Sequence, residues 1–225
     1  MFHVWCDRAV HRRDVAHARD GAALVTGPAA RAVSVHSRSG THGHDRVAVR
    51  PVSNCDGGAV ALREIRLYGD PVLLTVADEV SSFGEATRIL ARDLLDTVAQ
   101  PGRAGLAASQ IGVPLRAFSY HVDDRLGAVF NPVVVAREGR QDGEEGCLSV
   151  PELWFPTTRS AYVAVEGYDA EGEPVRVEGD GLMARCLEHE VDHLDGVVYL
   201  RRLEGETRRE AMRAVRESEW FSARR

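Results

Sequence analysis

The stretch Cys186-Leu-Glu-His-Glu-Val-Asp-His-Leu-Asp-Gly196 holds the residues best suited to chemistry. His189 and His193 stand four apart, so on a helix both imidazoles project from one face, one turn apart. Two histidines at that spacing bind one metal ion, and Glu190 can take a proton from water that the ion activates. The same five-residue pattern also occurs on ordinary solvated helices, so a site requires a third ligand. No histidine follows His193, which leaves the upstream sequence to supply it. Cys147 and Cys186 are the two candidates. Cys147 sits in Glu144-Glu-Gly-Cys-Leu-Ser-Val-Pro151, where Gly and Pro suggest a loop or strand end. Cys186 precedes His189 by three residues and can reach the same helix face. Against both stands the plainer reading of a cysteine as a small core hydrophobe.

The elements around these residues can be read from their patterns. Leu182, Cys186 and Leu187 continue an amphipathic helix up to the histidines, and Gly196 is a fitting C-cap. Upstream, Ser82 and Glu85 form a capping box for a helix with the stripe Phe83, Ala86, Leu90, Leu94 and Val98, ended by Pro101-Gly102. Gly105-Leu-Ala-Ala-Ser-Gln-Ile-Gly112 is a run of small residues, which either packs tightly or admits a second chain close to the backbone. Leu115 to Val122 and Ala128 to Val135 read as strands, with Asn131-Pro132 marking a kink. Tyr162 to Tyr168 and Pro174 to Glu178 read as a hairpin. Val197 to Leu200 reads as a short strand, and a last helix is expected near residues 207–218, with Glu210 completing a capping box. This order predicts an α+β fold, with small mixed or antiparallel sheets around a central metal-binding helix.

Composition narrows the class. At 225 residues the chain can hold one sizeable core plus an appendage. It contains no run of 18 apolar residues, which excludes a spanning helix. All 28 basic residues are Arg. The four cysteines show no secretory framework, so a reducing cytoplasm is the expected location. Residues 1–60 carry six of the nine histidines without ligand spacing and no sustained period, and are expected to form a disordered extension. The catalytic unit is then 61–225. Charge is uneven: residues 61–200 hold 12 Arg against 24 acidic residues, while 201–225 hold 8 Arg against 5 Glu.

Three boxes taken together resemble the peptide deformylase family. Its patterns GxGLAAxQ, EGCLS and HExDH appear in order as Arg103 to Gln110, Glu145 to Ser149 and His189 to His193, and the resemblance spans about residues 62–203. It implies removal of the formyl group from N-formylmethionyl ends of nascent proteins. It makes Cys147, His189 and His193 the ligands of one divalent metal, ferrous iron in the usual bacterial case, with zinc, nickel or cobalt as alternatives. It makes Glu190 the acid/base, with the Gln110 amide and Leu148 N–H holding the formyl oxygen. The nascent peptide would pair along Gly105, and Leu148, Cys186 and Leu182 would shape a pocket for the methionine side chain. Asp192 is expected to anchor the helix by pairing with Arg159.

Two positions depart from the family pattern: Arg103 replaces the first Gly of its box, and Glu188 stands where Gln is common. The competing readings are a zincin-like metallopeptidase and a metal-binding paralogue without catalysis. The first lacks a downstream ligand; the second would not need Gln110 and Glu190. The partners implied are nascent peptides and the ribosome, met through the basic C-terminal segment. No membrane and no sequence-specific nucleic acid are expected.

Overall fold

A computed structural model describes residues 62–223; the extension expected over 1–60 lies outside the described residues. A five-stranded antiparallel sheet runs in the order β1 (Gly105–Ala107), β2 (Ala117–Val122), β3 (Arg125–Glu138), β6 (Tyr162–Tyr168) and β7 (Pro174–Asp180). A separate two-stranded ribbon pairs β4 (Gln141–Cys147) with β5 (Val150–Arg159). The helices are α1 (Glu85–Val98), α2 (Gly181–Leu194), α3 (Gly205–Glu217) and the short α4 (Glu219–Ser222). This is the expected α+β class. Among the described residues every sheet pair is antiparallel, and the one parallel contact is an isolated bridge between Asp78 and Leu115.

Strand alternation separates two cores. Phe118 and Val129 point to one face, where they meet Met183, Ala184, Leu187, Val191 and Leu194 of α2. Their neighbours Ala117 and Phe130 point to the other face and meet Leu90, Leu94 and Val98 of α1. A third cluster joins the ribbon, through Cys147 and Val150, to Tyr199, Leu200, Leu203 and the α3 residues Ala211 and Val215. Helix α2 is therefore enclosed between the sheet and the ribbon, and every residue from Met183 to Leu194 is buried.

Both ends of α2 are tied down. Gly181 takes φ +53° and its N–H bonds to Ala161 O at 3.1 Å, while the Gln141 amide donates to Ser160 O and Gly181 O. At the far end Gly196 adopts φ +69° just beyond the last turn, as its C-cap reading requires. The N–H of Ala77 bonds to Leu194 O at 2.9 Å, so the segment leading into α1 closes over the helix end. That segment is held in turn by Asn131, whose amide makes paired 2.8 Å bonds with the backbone of Val80. Asn131 takes φ +46° and breaks the β3–β6 register beside Pro132, which is the expected kink.

Several local expectations need correction. The first helix starts at Glu85 with Gly84 as N-cap: Thr87 Oγ1, rather than a Ser82/Glu85 box, accepts the Gly84 N–H at 2.9 Å. Its buried stripe is Thr87, Leu90, Ala91, Leu94 and Val98, while Ala86 is exposed. The strand expected at Val197 to Leu200 is instead a 3-10 turn over Tyr199–Arg201. Helix α3 begins at Gly205 behind Glu204, with no side-chain cap, so the Thr207/Glu210 box does not form. The segment expected to be a loop or strand end around Cys147 is the turn of the ribbon β4–β5, whose Gly143, Gly146, Pro151 and Pro156 break the usual strand signal. Those residues are tolerated since both strands are edges.

Candidate active site

The described residues contain one cluster able to hold a metal ion. The sulfur of Cys147 and one ring nitrogen each of His189 and His193 lie within 4.8 Å of one another. Cys147 ends β4, and its Sγ sits 3.2 Å from His193 Nε2. The histidines stack edge to face one helical turn apart on α2, with ring centres 4.9 Å apart. Metal bonds of about 2.0–2.3 Å to such donors leave the donors about 3.3–3.8 Å apart, so one ion fits with little adjustment. One sulfur and two imidazoles supply three donors, and three protein ligands for a metal that takes four are the donor set of a catalytic rather than a structural centre. Cys186 is excluded from the cluster by direction. It is wholly buried in the first core and its thiol donates to Ala104 O at 3.2 Å. Burial pushes that thiol well above its ordinary range, with Glu190 and Glu145 adding to the effect, so it stays protonated.

Glu190 projects from α2 beside the cluster. A Cβ on Gly105 would collide with its carboxylate, so the small residue at that position is needed for a side chain to approach the β1 backbone. Its Oε2 is buried and has no partner among the described residues. Burial pushes the Glu190 carboxyl up to about 7, against the pull of His189. An acid/base working near neutral pH needs such a value, and a cation in the cluster would draw it down.

Gln110 closes another side. Its Oε1 accepts the Ala107 N–H at 2.9 Å, which turns its Nε2 toward Ser149 Oγ (3.1 Å) and Cys147 Sγ (3.5 Å). The next residue, Leu148, is half-buried and packs with the α1 cluster. Leu182 is half-buried against the core on the α2 side. Of the proposed methionine pocket, then, Leu148 and Leu182 keep accessible surface and Cys186 does not.

Behind the histidines lies a network of buried charges. Glu145 is fully buried and its carboxylate takes two bonds from Arg159 (2.9 and 2.6 Å), one from Arg185 (2.8 Å) and one from His189 Nδ1 (2.7 Å). A carboxylate only accepts, so Nδ1 of His189 carries a proton, which leaves Nε2 as the nitrogen that a metal ion would take. Burial alone would raise Glu145, but the bonds from Arg159 and His189 outweigh it and hold the carboxyl well below its usual range. Burial would likewise lower His189, yet Cys147 and Glu145 raise it well above its ordinary value. His193 goes the other way: burial, then the neighbouring His189, push it well down. Its Nδ1 has no partner among the described residues.

Asp192 pairs with Arg159 at 2.7 Å, as expected, and also with Arg202 through a second, unexpected fork. The two departures from the family pattern are both accommodated. Arg103 donates to Thr97 O at 2.7 Å near the end of α1. Glu188 accepts from Ser160 N, Ser160 Oγ and Arg137 Nε at 2.8–3.0 Å. Sequence reasoning assigned no role to Glu145, Ser149, Arg185 or Arg202. Glu145 alone carried a signal, as a charged residue inside a box.

Removing one member of a buried charge network strands the others, at about 3–5 kcal/mol. The Arg159→Met variant should lose that much unfolding free energy in urea, with the slope unchanged. A loss under about 1 kcal/mol would show that Glu145 and Asp192 do not depend on it.

With this geometry in view, the family model described as "Polypeptide deformylase" matches residues 62–209. A peptide deformylase of Acidothermus cellulolyticus is 50% identical over 161 residues, covering 72% of this chain and 89% of the relative. One from Parafrankia is 51% identical over 163 residues, with the same coverage. The crystal structure of a peptide deformylase from Legionella pneumophila superposes with a TM-score of 0.67 at 34% identity, covering 73% of this chain and 99% of that one. None of these relatives supports the metallopeptidase or the non-catalytic reading. The chain belongs to the polypeptide deformylases, metal-dependent hydrolases that remove the N-formyl group from nascent peptides.

Proposed function

We propose that Cys147, His189 and His193 hold one divalent metal, ferrous iron in the cell, and that Glu190, Gln110 and Leu148 carry out deformylation around it. The observation that carries this reading is the convergence of the three donor atoms within 4.8 Å beside an unpartnered Glu190 carboxylate. When bound, the metal supplies Lewis acidity, which brings the pKa of water toward neutrality. Zinc, nickel or cobalt would suit the same donors, but a thiolate beside iron makes the site sensitive to oxygen.

In this reading Glu190 takes the proton of the attacking water and later delivers it to the leaving amine. Gln110 Nε2 and the Leu148 N–H receive the negative charge that gathers on the formyl oxygen, each worth about 3–4 kcal/mol. The orientation of Gln110 supports its part, because the Ala107 N–H fixes its oxygen and leaves the amide donors facing Cys147. Strand β1 pairs with β2 alone, so its other edge, at Gly105, can take the peptide as an added strand. Leu148 and Leu182 flank the methionine side chain, with the buried Cys186 backing them.

Three outcomes check these roles. Cys147→Ser should lose metal on gel filtration, whereas Cys186→Ser should keep it; the reverse pattern would contradict the ligand assignment. Glu190→Gln should retain metal and fold but lower kcat by a factor on the order of 10² to 10⁴. Full activity in that metal-loaded variant would remove Glu190 from the mechanism. Formate release from formyl-Met-Ala should exceed that from formyl-Gly-Ala or formyl-Asp-Ala in kcat/KM, and an unblocked internal peptide should not be cleaved. Equal rates would contradict the methionine pocket.

The place of action we infer is the cytoplasm, at the ribosome. Cys147 and Cys186 are both free thiols, which suits a reducing compartment, and no helix among the described residues is long and apolar enough to cross a membrane. Arg209, Arg213 and Arg216 are exposed and fall within an arc of about 60° on α3, turned away from the buried Ala211 and Val215, with Arg208 on the flank. Of these, Arg209 is paired with Glu206. Helix α3 also closes the third core cluster, so substitution is a sounder test than truncation. Changing Arg209, Arg213 and Arg216 to Gln should reduce cosedimentation with ribosomes and flatten its dependence on salt. Unchanged binding would place the contact elsewhere.

A further inference from the structure

A second flank of α2 faces a polar pocket of about 470 Å³ that the deformylation chemistry does not use. Glu188 and Asp192 lie one turn apart on this flank, about 100° around the helix from His189 and His193. Both carboxylates are fully engaged. Glu188 accepts from Ser160 N, Ser160 Oγ and Arg137 Nε, and Asp192 accepts from Arg159 Nη1 and from Arg202. They therefore act as two fixed posts: Glu188 holds Arg137 at the pocket wall, and Asp192 holds Arg159 and Arg202.

The arginines are not used up by this pairing. Arg137 spends only its Nε; Arg202 spends Nε and Nη2 on Asp192, and Arg140 spends the same two atoms on Asp142. The Nη1 groups of all three, and Nη2 of Arg137, have no acceptor among the described residues. Arg159, at 4% side-chain exposure, has each of its three nitrogens bonded to Glu145 or Asp192. Four arginines line the pocket, and Glu188, Asp142, Glu145 and Asp192 pair with them, so what the pocket offers is unspent N–H donors rather than an excess of charge.

We propose that this pocket is a binding site for a phosphate-bearing anion. Arg137 and Arg202 are held on carboxylates one helical turn apart, and Arg140 lines the pocket from the β3–β4 turn, so three arginines with unspent donors meet there. A tetrahedral phosphate offers oxygens to several guanidinium forks at once, whereas a planar carboxylate is satisfied by one. The volume exceeds that of a bare phosphate, so there is room for a diphosphate or for a backbone segment of single-stranded RNA. The two sources share the chemistry that the arginines recognise.

The test uses the metal-loaded full chain and the Arg137→Gln/Arg140→Gln variant. These side chains are 54% and 70% exposed, so the fold does not depend on them. Binding of inorganic pyrophosphate is measured by calorimetry and that of a labelled 12-nucleotide RNA by anisotropy, in chloride buffer. At least one probe should bind saturably to the wild-type chain, with affinity about tenfold or more lower in the variant and formate release unchanged. In the RNA arm the log–log salt slope should fall by roughly 1.4, for two lost phosphate contacts. Pyrophosphate binding that RNA cannot match would assign a free oxyanion; RNA binding alone would assign a nucleic-acid backbone. Failure of both probes to bind, or equal binding by the variant, would overturn the proposal. So would RNA binding that is lost instead on changing Arg209, Arg213 and Arg216.

Discussion

A single carboxylate, that of Glu145, sits at the centre of the structure's electrostatics. Removing a carboxylate from water costs several kcal/mol even after relaxation, so its burial is tolerable only with nearly every lone pair engaged. Four bonds from Arg159, Arg185 and His189 meet that condition. These donors come from two parts of the chain: Arg159 closes β5, and Arg185 and His189 stand one turn apart on α2. Glu145 itself lies two residues before Cys147 on β4. The bonds that satisfy one buried charge therefore dock the ribbon onto the helix, and bring a thiol to the two imidazoles.

The same helix serves three environments without conflict because its positions are divided by angle. Met183, Ala184, Leu187, Val191 and Leu194 fill the sheet-side core. His189, Glu190 and His193 turn toward β1 and Cys147, where Gly105 leaves room for the Glu190 carboxylate. Glu188 and Asp192 turn to the arginines of β3, β5 and the turn before α3. A helix buried over its whole length normally has to be apolar. This one carries six acidic, basic or imidazole side chains from Arg185 to His193, and nearly every one has a charged or metal-binding neighbour. Glu190 is the exception, and an unpartnered buried carboxylate beside a metal-capable cluster is what proton transfer requires.

Much of this was legible from residue spacing. The histidine pair, the acidic residue between them and the three boxes drew attention to the right segments, and hydrophobic periods located α1, α2 and the β6–β7 hairpin. Asp192 with Arg159 was also within reach, since a helix that turns an acid away from its histidines must find it a partner. The ribbon β4–β5 was not readable, because its strands are short of β-formers and broken by Gly and Pro. Their stability comes from contacts with α2 and α3, which are distant in sequence. The roles of Arg185 and Arg202 were hidden for the same reason: in a chain whose basic residues are all arginine, nothing local distinguishes a buried partner from a solvated one. Capping was the weakest reading. Gly84 and Glu204, with no side-chain bond of their own, took the places that Ser82 and Thr207 advertised.

The central claim is that the ribbon delivers a thiolate to the two helix imidazoles, so that one metal ion is shared between β4 and α2. X-ray absorption at the metal edge of the zinc-loaded full chain measures this directly. The account predicts one sulfur at about 2.3 Å and two imidazole nitrogens at about 2.0–2.1 Å, with a light oxygen atom completing four ligands. A first shell of nitrogen and oxygen alone, or one with two sulfurs, would contradict it.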